Sequence, residues 1–220
     1  MIYLICSVLA STLIFIAFKL FAKFRVDTFQ AIVVNYLFAC ISGIVAFKGD
    51  VVPGKIIQQP WIYGCLGLGV LFIIIFNLMA LTTQRSGISV VSVATKMSVV
   101  IPIAFGIFYY SEDLGISKGV GIVLALIAVY LASIKESDGL RIEPKNLIFP
   151  VLVFLGSGVI DLSIKYLEDS YVTESDIPIF SATIFATAFV VGVCVLLFQV
   201  VQGKFRFQLK NLLGGIGLGI

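Results

Sequence analysis

Lys96 stands in the stretch VATKMSVVIP, Val93 to Pro102, where every neighbour suits hydrocarbon better than an ammonium group does. It lies about nine residues into its apolar run, roughly 13 Å at about 1.5 Å per residue, close to the middle of a bilayer core about 30 Å thick. Inserting a lysine at that depth costs about 2.5 to 3.5 kcal/mol, so the side chain must face water or a partner. Ser89, Ser92 and Lys96 recur at i, i+3 and i+7, which puts them on one helix face that can line a wet cavity. Pro102 has no N–H to give the Ser98 carbonyl, so a kink and a free acceptor are expected two residues beyond the lysine. A fixed positive charge beside irregular backbone is chemistry for holding an anionic or zwitterionic solute. The alternative is a structural lysine, bonded to nearby carbonyls or paired with Asp161.

Asp161 is the one carboxylate well inside a spanning run. Ser157, Asp161 and Lys165 recur at i, i+4 and i+8 and form a second polar stripe. Asp161 reads as a site residue or as a proton carrier if burial disfavours its charge. Against that stands an ordinary intrahelical ion pair with Lys165, since Asp at i and Lys at i+4 is the favourable order. Lys19, near the end of the first run, reads as an interfacial anchor. Asn35, Ser42 and Asn77 suit hydrogen bonds between helices, with Asn77 kept among the candidate site residues. Trp61, Tyr109 and Tyr110 stand at run ends and read as aromatic anchors at the membrane surface.

The elements that must position these groups follow from composition. The chain is 60% hydrophobic and 12% charged, against roughly 25% charged for a soluble domain, and its mean hydropathy is +1.14. It is expected to be an all-α, polytopic membrane helix bundle whose first partner is the lipid bilayer. Seven runs are long enough, or nearly so, to cross it: 3–22, 30–47, 62–83, 88–110, 118–134, 147–166 and 177–200. An eighth starts at Asn211. Ser117 is placed to N-cap the fifth helix, and Pro150 and Pro178 sit in opening turns, where their missing N–H does little harm. The first run lacks a basic leader and a small-residue cleavage pattern and reads as a retained helix.

The charge of +3 is spread through short connections and offers no basic face, which excludes nucleic acid as a partner. Cys6, Cys40, Cys65 and Cys194 lie in apolar runs without CxxC spacing, and the chain has no histidine. No metal site or other cofactor is expected, and the cysteines read as small buried hydrophobes.

An internal repeat underlies the runs. Ser11 through Lys19 lies over Ser157 through Lys165, with serine and lysine eight apart in both. Asp27 and Gly43 bracket the second run as Asp176 and Gly192 bracket the seventh. Gly64, Gly67 and Gly69 align with Gly214, Gly217 and Gly219. Residues 1–135 form a first unit of five transmembrane helices; residues 146–220 form a partial second unit of two full helices and part of a third. A unit with an odd number of helices is inverted in its second copy, the arrangement that permits alternating access around a midplane site. The chain is expected to be C-terminally incomplete.

The stretch Met79-Ala-Leu-Thr-Thr, followed by Ser89, Pro102, Glu112 and Gly121-Ile-Val-Leu-Ala-Leu-Ile-Ala-Val, resembles the EamA-like unit of the drug/metabolite transporter superfamily. The resemblance covers the first unit and about half of a second. It implies ten helices in two inverted five-helix units, residence in the bacterial inner membrane, and export or exchange of small metabolites. This chain departs from the pattern at Ser11-Thr12, where the family has Trp-Gly, and at the turn Tyr110-Ser-Glu-Asp. Small multidrug transporters of the superfamily carry a first-helix glutamate eight residues before a lysine, and here Ser11 and Ser157 hold that spacing, which disfavours export of lipophilic cations.

The function expected is secondary transport of a small polar or anionic metabolite, such as an amino acid or organic anion. Lys96, Ser92, Ser89, Pro102, Asp161, Ser157 and Asn77 form the substrate site, and a proton or sodium ion is the coupling partner. No catalytic residue is expected, because there is no histidine for a triad or metal and one deep aspartate makes no dyad. A non-transporting scaffold or partner subunit, with a homodimer as one form, and an intramembrane enzyme are the rivals. Orientation divides the indications: Lys and Arg are denser in the odd connections, which puts the N-terminus outside, whereas the resemblance implies a cytoplasmic N-terminus.

Overall fold

The computed structural model describes residues 2–49, 51–110, 115–134, 148–203 and 208–219. Those residues form ten α-helices and no strand: α1 (Ile2–Phe24), α2 (Thr28–Ala46), α3 (Pro53–Ile57), α4 (Ile62–Ser86), α5 (Ile88–Met97), α6 (Val100–Tyr110), α7 (Ile116–Ile134), α8 (Ile148–Tyr171), α9 (Ile177–Val201) and α10 (Leu209–Gly219). Helix is the form in which an apolar run satisfies every backbone group without water, so the runs could fold in hydrocarbon in no other open form. Among the described residues, six stretches are long and apolar enough to cross a membrane: Cys6–Phe24, Thr28–Ala46, Ile62–Ser86, Ile88–Ile107, Ile148–Tyr171 and Glu174–Val201. The chain is a polytopic helical membrane protein. α7 covers the fifth expected run, with a shorter described apolar stretch, Gly119–Ala128, and α10 opens the eighth.

Local chemistry sets most of the boundaries. Asp27 N-caps α2 by accepting from the Gln30 N–H at 3.1 Å. Pro178 lies in the first turn of α9 and Pro150 is the third residue of α8, as expected. Ser117 does not cap α7, because that helix begins one residue earlier, at Ile116. A single residue, Gly87, separates α4 from α5; its φ of +96° is open to glycine and strained for other residues. The connections holding Lys135 and Glu112 lie outside the described residues, as do the side chains of Tyr109 and Tyr110.

The chain divides into two compact units that interleave the expected repeats. One comprises Met1–Phe24 and Asn77–Leu162. In it α5 packs on α1 and α7, and α6 on α7. Phe15, Phe18, Val90, Val91, Ala94, Val153 and Ile160 are buried. Gly158 of α8 meets Ile101 of α6 so closely that a Cβ there would overlap the isoleucine side chain.

The other unit comprises Arg25–Phe76 and Ser163–Ile220, with α2 packed on both α9 and α10. Gly43 of α2 faces Ala182 of α9, and Gly192 of α9 faces Val33 of α2. As the numbers rise along α2 those of its partner fall along α9, so the two helices run antiparallel. Val33 stands as far from Ala182 in the chain as Gly43 from Gly192, so each glycine opposes the repeat equivalent of the other's partner. Tyr36 and Phe185, separated by that same interval, stack with ring centroids 6.1 Å apart and an interplanar angle of 18°. The same relation recurs outside the central pair: a Cβ on Gly69 of α4 would lie 2.6 Å from Thr187 Cβ of α9, and one on Gly219 of α10 would lie 2.8 Å from Phe38 Cβ of α2.

Two expectations are corrected here. Trp61 is 2% exposed and meets Phe180 edge-on at 5.6 Å, so it is a core residue and no surface anchor. A flat, mostly apolar ring gains more from packing than from a place at the boundary. Of the four cysteines only Cys65 is buried; Cys40 is half-buried, and Cys6 and Cys194 are exposed. Small thiols tolerate either setting.

Candidate functional site

α5 and α6 occupy a single 20-residue apolar stretch, Ile88–Ile107, but the helix is broken within it at Ser98 and Val99. The cause is Pro102, four residues beyond Ser98, which cannot donate to the Ser98 carbonyl. That carbonyl is not left free, contrary to expectation. The Ile101 N–H turns to it at 2.9 Å in a tighter i+3 bond. The deficit passes back into the last turn of α5, where the Thr95 carbonyl takes the Ser98 hydroxyl at 2.7 Å.

The break makes two helix ends near the centre of the stretch. Lys96 occupies the last turn of α5, where the negative end of the helix dipole favours a cation. Its Nζ donates to Ser11 Oγ of α1 at 3.1 Å, and the side chain is exposed. Ser98, fully buried, lies just ahead of the first turn of α6, and its Oγ is 3.4 Å from Asp161 Oδ2 of α8. The carboxylate therefore stands by the positive end of α6. The close approach at Gly158, one turn before Asp161, is what lets α8 come this near. No ion pair within 4.0 Å joins Lys96 to Asp161 among the described residues. A lysine and an aspartate thus flank the break, each beside a serine.

Of the residues singled out from sequence, Lys96, Asp161 and the backbone break caused by Pro102 meet in this way. Ser157 lies one turn before Asp161; it is 5% exposed and its Oγ has no hydrogen-bond partner among the described residues. Ser92 is half-buried and Ser89 exposed on the Lys96 face of α5. Pro102 and Asn77 are half-buried in the same compact unit, Asn77 with an interaction of its own. Lys165 forms an exposed ion pair with Asp169, at 3.1 Å, one turn further along α8. It therefore has a carboxylate partner other than Asp161, which weakens the intrahelical-pair alternative.

Sequence reasoning missed Ser11, Ser98 and Thr95 as members of this site. Ser11 carried a signal, the departure from Trp-Gly, and Ser98 carried another, its place four residues before a proline. Thr95 Oγ1 is buried without a partner among the described residues and had no signal beyond adjacency to Lys96. No group of three or more His, Cys, Asp or Glu that could hold a metal ion occurs among the described residues.

Comparisons with known proteins fit this architecture. The model of the EamA-like transporter family matches residues 1–134. An uncharacterized protein of Haemophilus influenzae is 27% identical over 222 residues, an alignment that takes in 99% of this chain and 74% of the relative. No solved structure matches.

Proposed function

Since this chain belongs to the EamA-like transporter family, we propose that it is a secondary transporter for a small polar or anionic metabolite, such as an amino acid or organic anion. It exports or exchanges that solute across the bacterial inner membrane by alternating access, coupled to a proton or sodium ion. The observation that carries this reading is the pair of opposite charges at the α5–α6 break, Lys96 at the end of α5 and Asp161 beside Ser98 at the start of α6. Charges in an apolar span are costly, and a broken helix aims its dipole ends at bound charge. A carboxylate on the solute would meet Lys96. An ammonium group, where the solute has one, would meet Asp161. Ser92 and Ser157 supply neutral hydroxyls on the same two helices, and Ser89 and Asn77 extend the polar lining.

The test is uptake by proteoliposomes holding the full chain, challenged with radiolabelled amino acids and organic anions under proton and sodium gradients. Uptake of at least one solute, lost in Lys96→Ala while the variant keeps its melting temperature, is the expected result. A folded protein that moves none of the panel under either gradient overturns the reading in favour of a scaffold or partner subunit.

A further inference from the structure

Resting on the transport reading, we infer that Asp161 is the binding site of the coupling proton and that the Ser98 hydroxyl carries its protonation state to the helix break. With Asp161 protonated, Ser98 donates to the Thr95 carbonyl and the last turn of α5 is capped. With Asp161 ionised, Ser98 donates to the carboxylate and that turn loses its cap.

The distances lead to this. Ser98 Oγ is 2.7 Å from the Thr95 carbonyl oxygen and 3.4 Å from Asp161 Oδ2. A hydroxyl has one hydrogen and two lone pairs, so it serves one of these acceptors at full strength. The short contact places the hydrogen toward Thr95, which turns a lone pair of Ser98 Oγ to the carboxyl group. A carboxylic acid can donate into that lone pair; a carboxylate cannot, and would leave two acceptor oxygens facing each other. Ionisation therefore draws the Ser98 hydrogen across, because a bond to a charged acceptor is about twice as strong as one to a neutral carbonyl. The cap on Thr95 is what gives way, one residue from Lys96.

The proton balance is simple. A hydronium ion of the bathing solution gives its proton to Asp161 Oδ and leaves as water; nothing is oxidised or reduced. Asp161 lies on an exposed face of α8. Among the described residues, Lys96 of α5 bonds Ser11 and, on the same helix as Asp161, Lys165 is paired with Asp169. A metal cation at Asp161 would have to be held against the Lys96 charge by a single carboxylate. A proton binds covalently and cancels the charge in place.

The experiment needs no solute. Infrared difference spectra of the reconstituted full chain are recorded over a pH titration for the parent, Asp161→Asn, Ser98→Ala and Ser98→Thr. A carboxyl band that is absent in Asp161→Asn, with a midpoint displaced by about half a pH unit or more in Ser98→Ala and restored in Ser98→Thr, is expected. An unmoved midpoint in Ser98→Ala overturns the inference. A second measurement uses Asp161→Asn alone, whose carboxamide donates as the protonated acid does. At one pH above the midpoint, hydrogen exchange in the segment 93–102 is expected to be about five-fold faster in the parent, the factor for losing one ordinary hydrogen bond. Equal rates overturn it. Because both measurements are made without solute, they can fail while the proteoliposome uptake test succeeds, and the reverse.

Discussion

The α2–α9 seam and the α5–α6 break are both apolar helix contacts in this chain, and they solve opposite problems. The seam has glycine or alanine at its crossings, Gly43 on Ala182 and Gly192 on Val33, and it places aromatic rings on one another at Tyr36 and Phe185. Neither α2 nor α9 carries a charged side chain. The break has a lysine, an aspartate and the hydroxyls of Ser11, Ser92, Thr95, Ser98 and Ser157 around an interrupted backbone. Where the helices only need to hold together, small side chains let backbones approach and dispersion does the rest. At the break, polar groups are kept despite their insertion cost, as the proposed solute site requires. The contrast separates a region whose residues answer to packing from one whose residues answer to chemistry.

Variants can break or sharpen that contrast. The largest effect is expected from Gly192→Leu, whose Cβ would lie 2.5 Å from Val33 Cγ2. Overpacking so tight a seam should cost about 3 kcal/mol or more, read as loss of the monodisperse folded protein in size-exclusion chromatography. Gly67→Ala, with nothing within 4 Å of the new methyl, is the matched control and should fold as the parent does.

Lys96→Ala comes next, and its effect should fall on function alone. Removing a charge-assisted contact should weaken apparent solute affinity by roughly 10- to 100-fold with little change in thermal stability. If instead the variant fails to fold, the break belongs to packing and the contrast collapses. Tyr36→Phe deletes the hydroxyl that donates to the Phe72 carbonyl at 2.9 Å. It should lower stability by about 1 kcal/mol in a denaturant titration and leave transport unaltered. The smallest effect belongs to Lys165→Ala. The Lys165–Asp169 pair is 68% and 50% exposed, so its loss should shift stability by about 0.5 kcal/mol or less.

Much of the architecture was legible from residue order. The apolar runs gave spans because hydrocarbon leaves a backbone few alternatives. The helix interruption near Lys96 followed from Pro102, since a missing N–H acts within four residues. What happened to the spare hydrogen-bonding capacity did not follow. The Ser98 carbonyl found Ile101, and the Ser98 hydroxyl found Thr95 and Asp161, because several acceptors compete within a few ångströms and geometry alone ranks them. Trp61 misled for a related reason: its position at a run end suggested the membrane surface, but Phe180, more than a hundred residues away, made burial the better outcome.

Residue order alone therefore established the membrane class and the helix content, since each depends on local propensity or on transfer from water to lipid. Folding in three dimensions chose the partners: Ser11 for Lys96, Ser98 for Asp161, Asp169 for Lys165. A hydrogen bond or ion pair is settled by fractions of an ångström between groups remote in the chain, and no spacing along one strand of sequence encodes that distance.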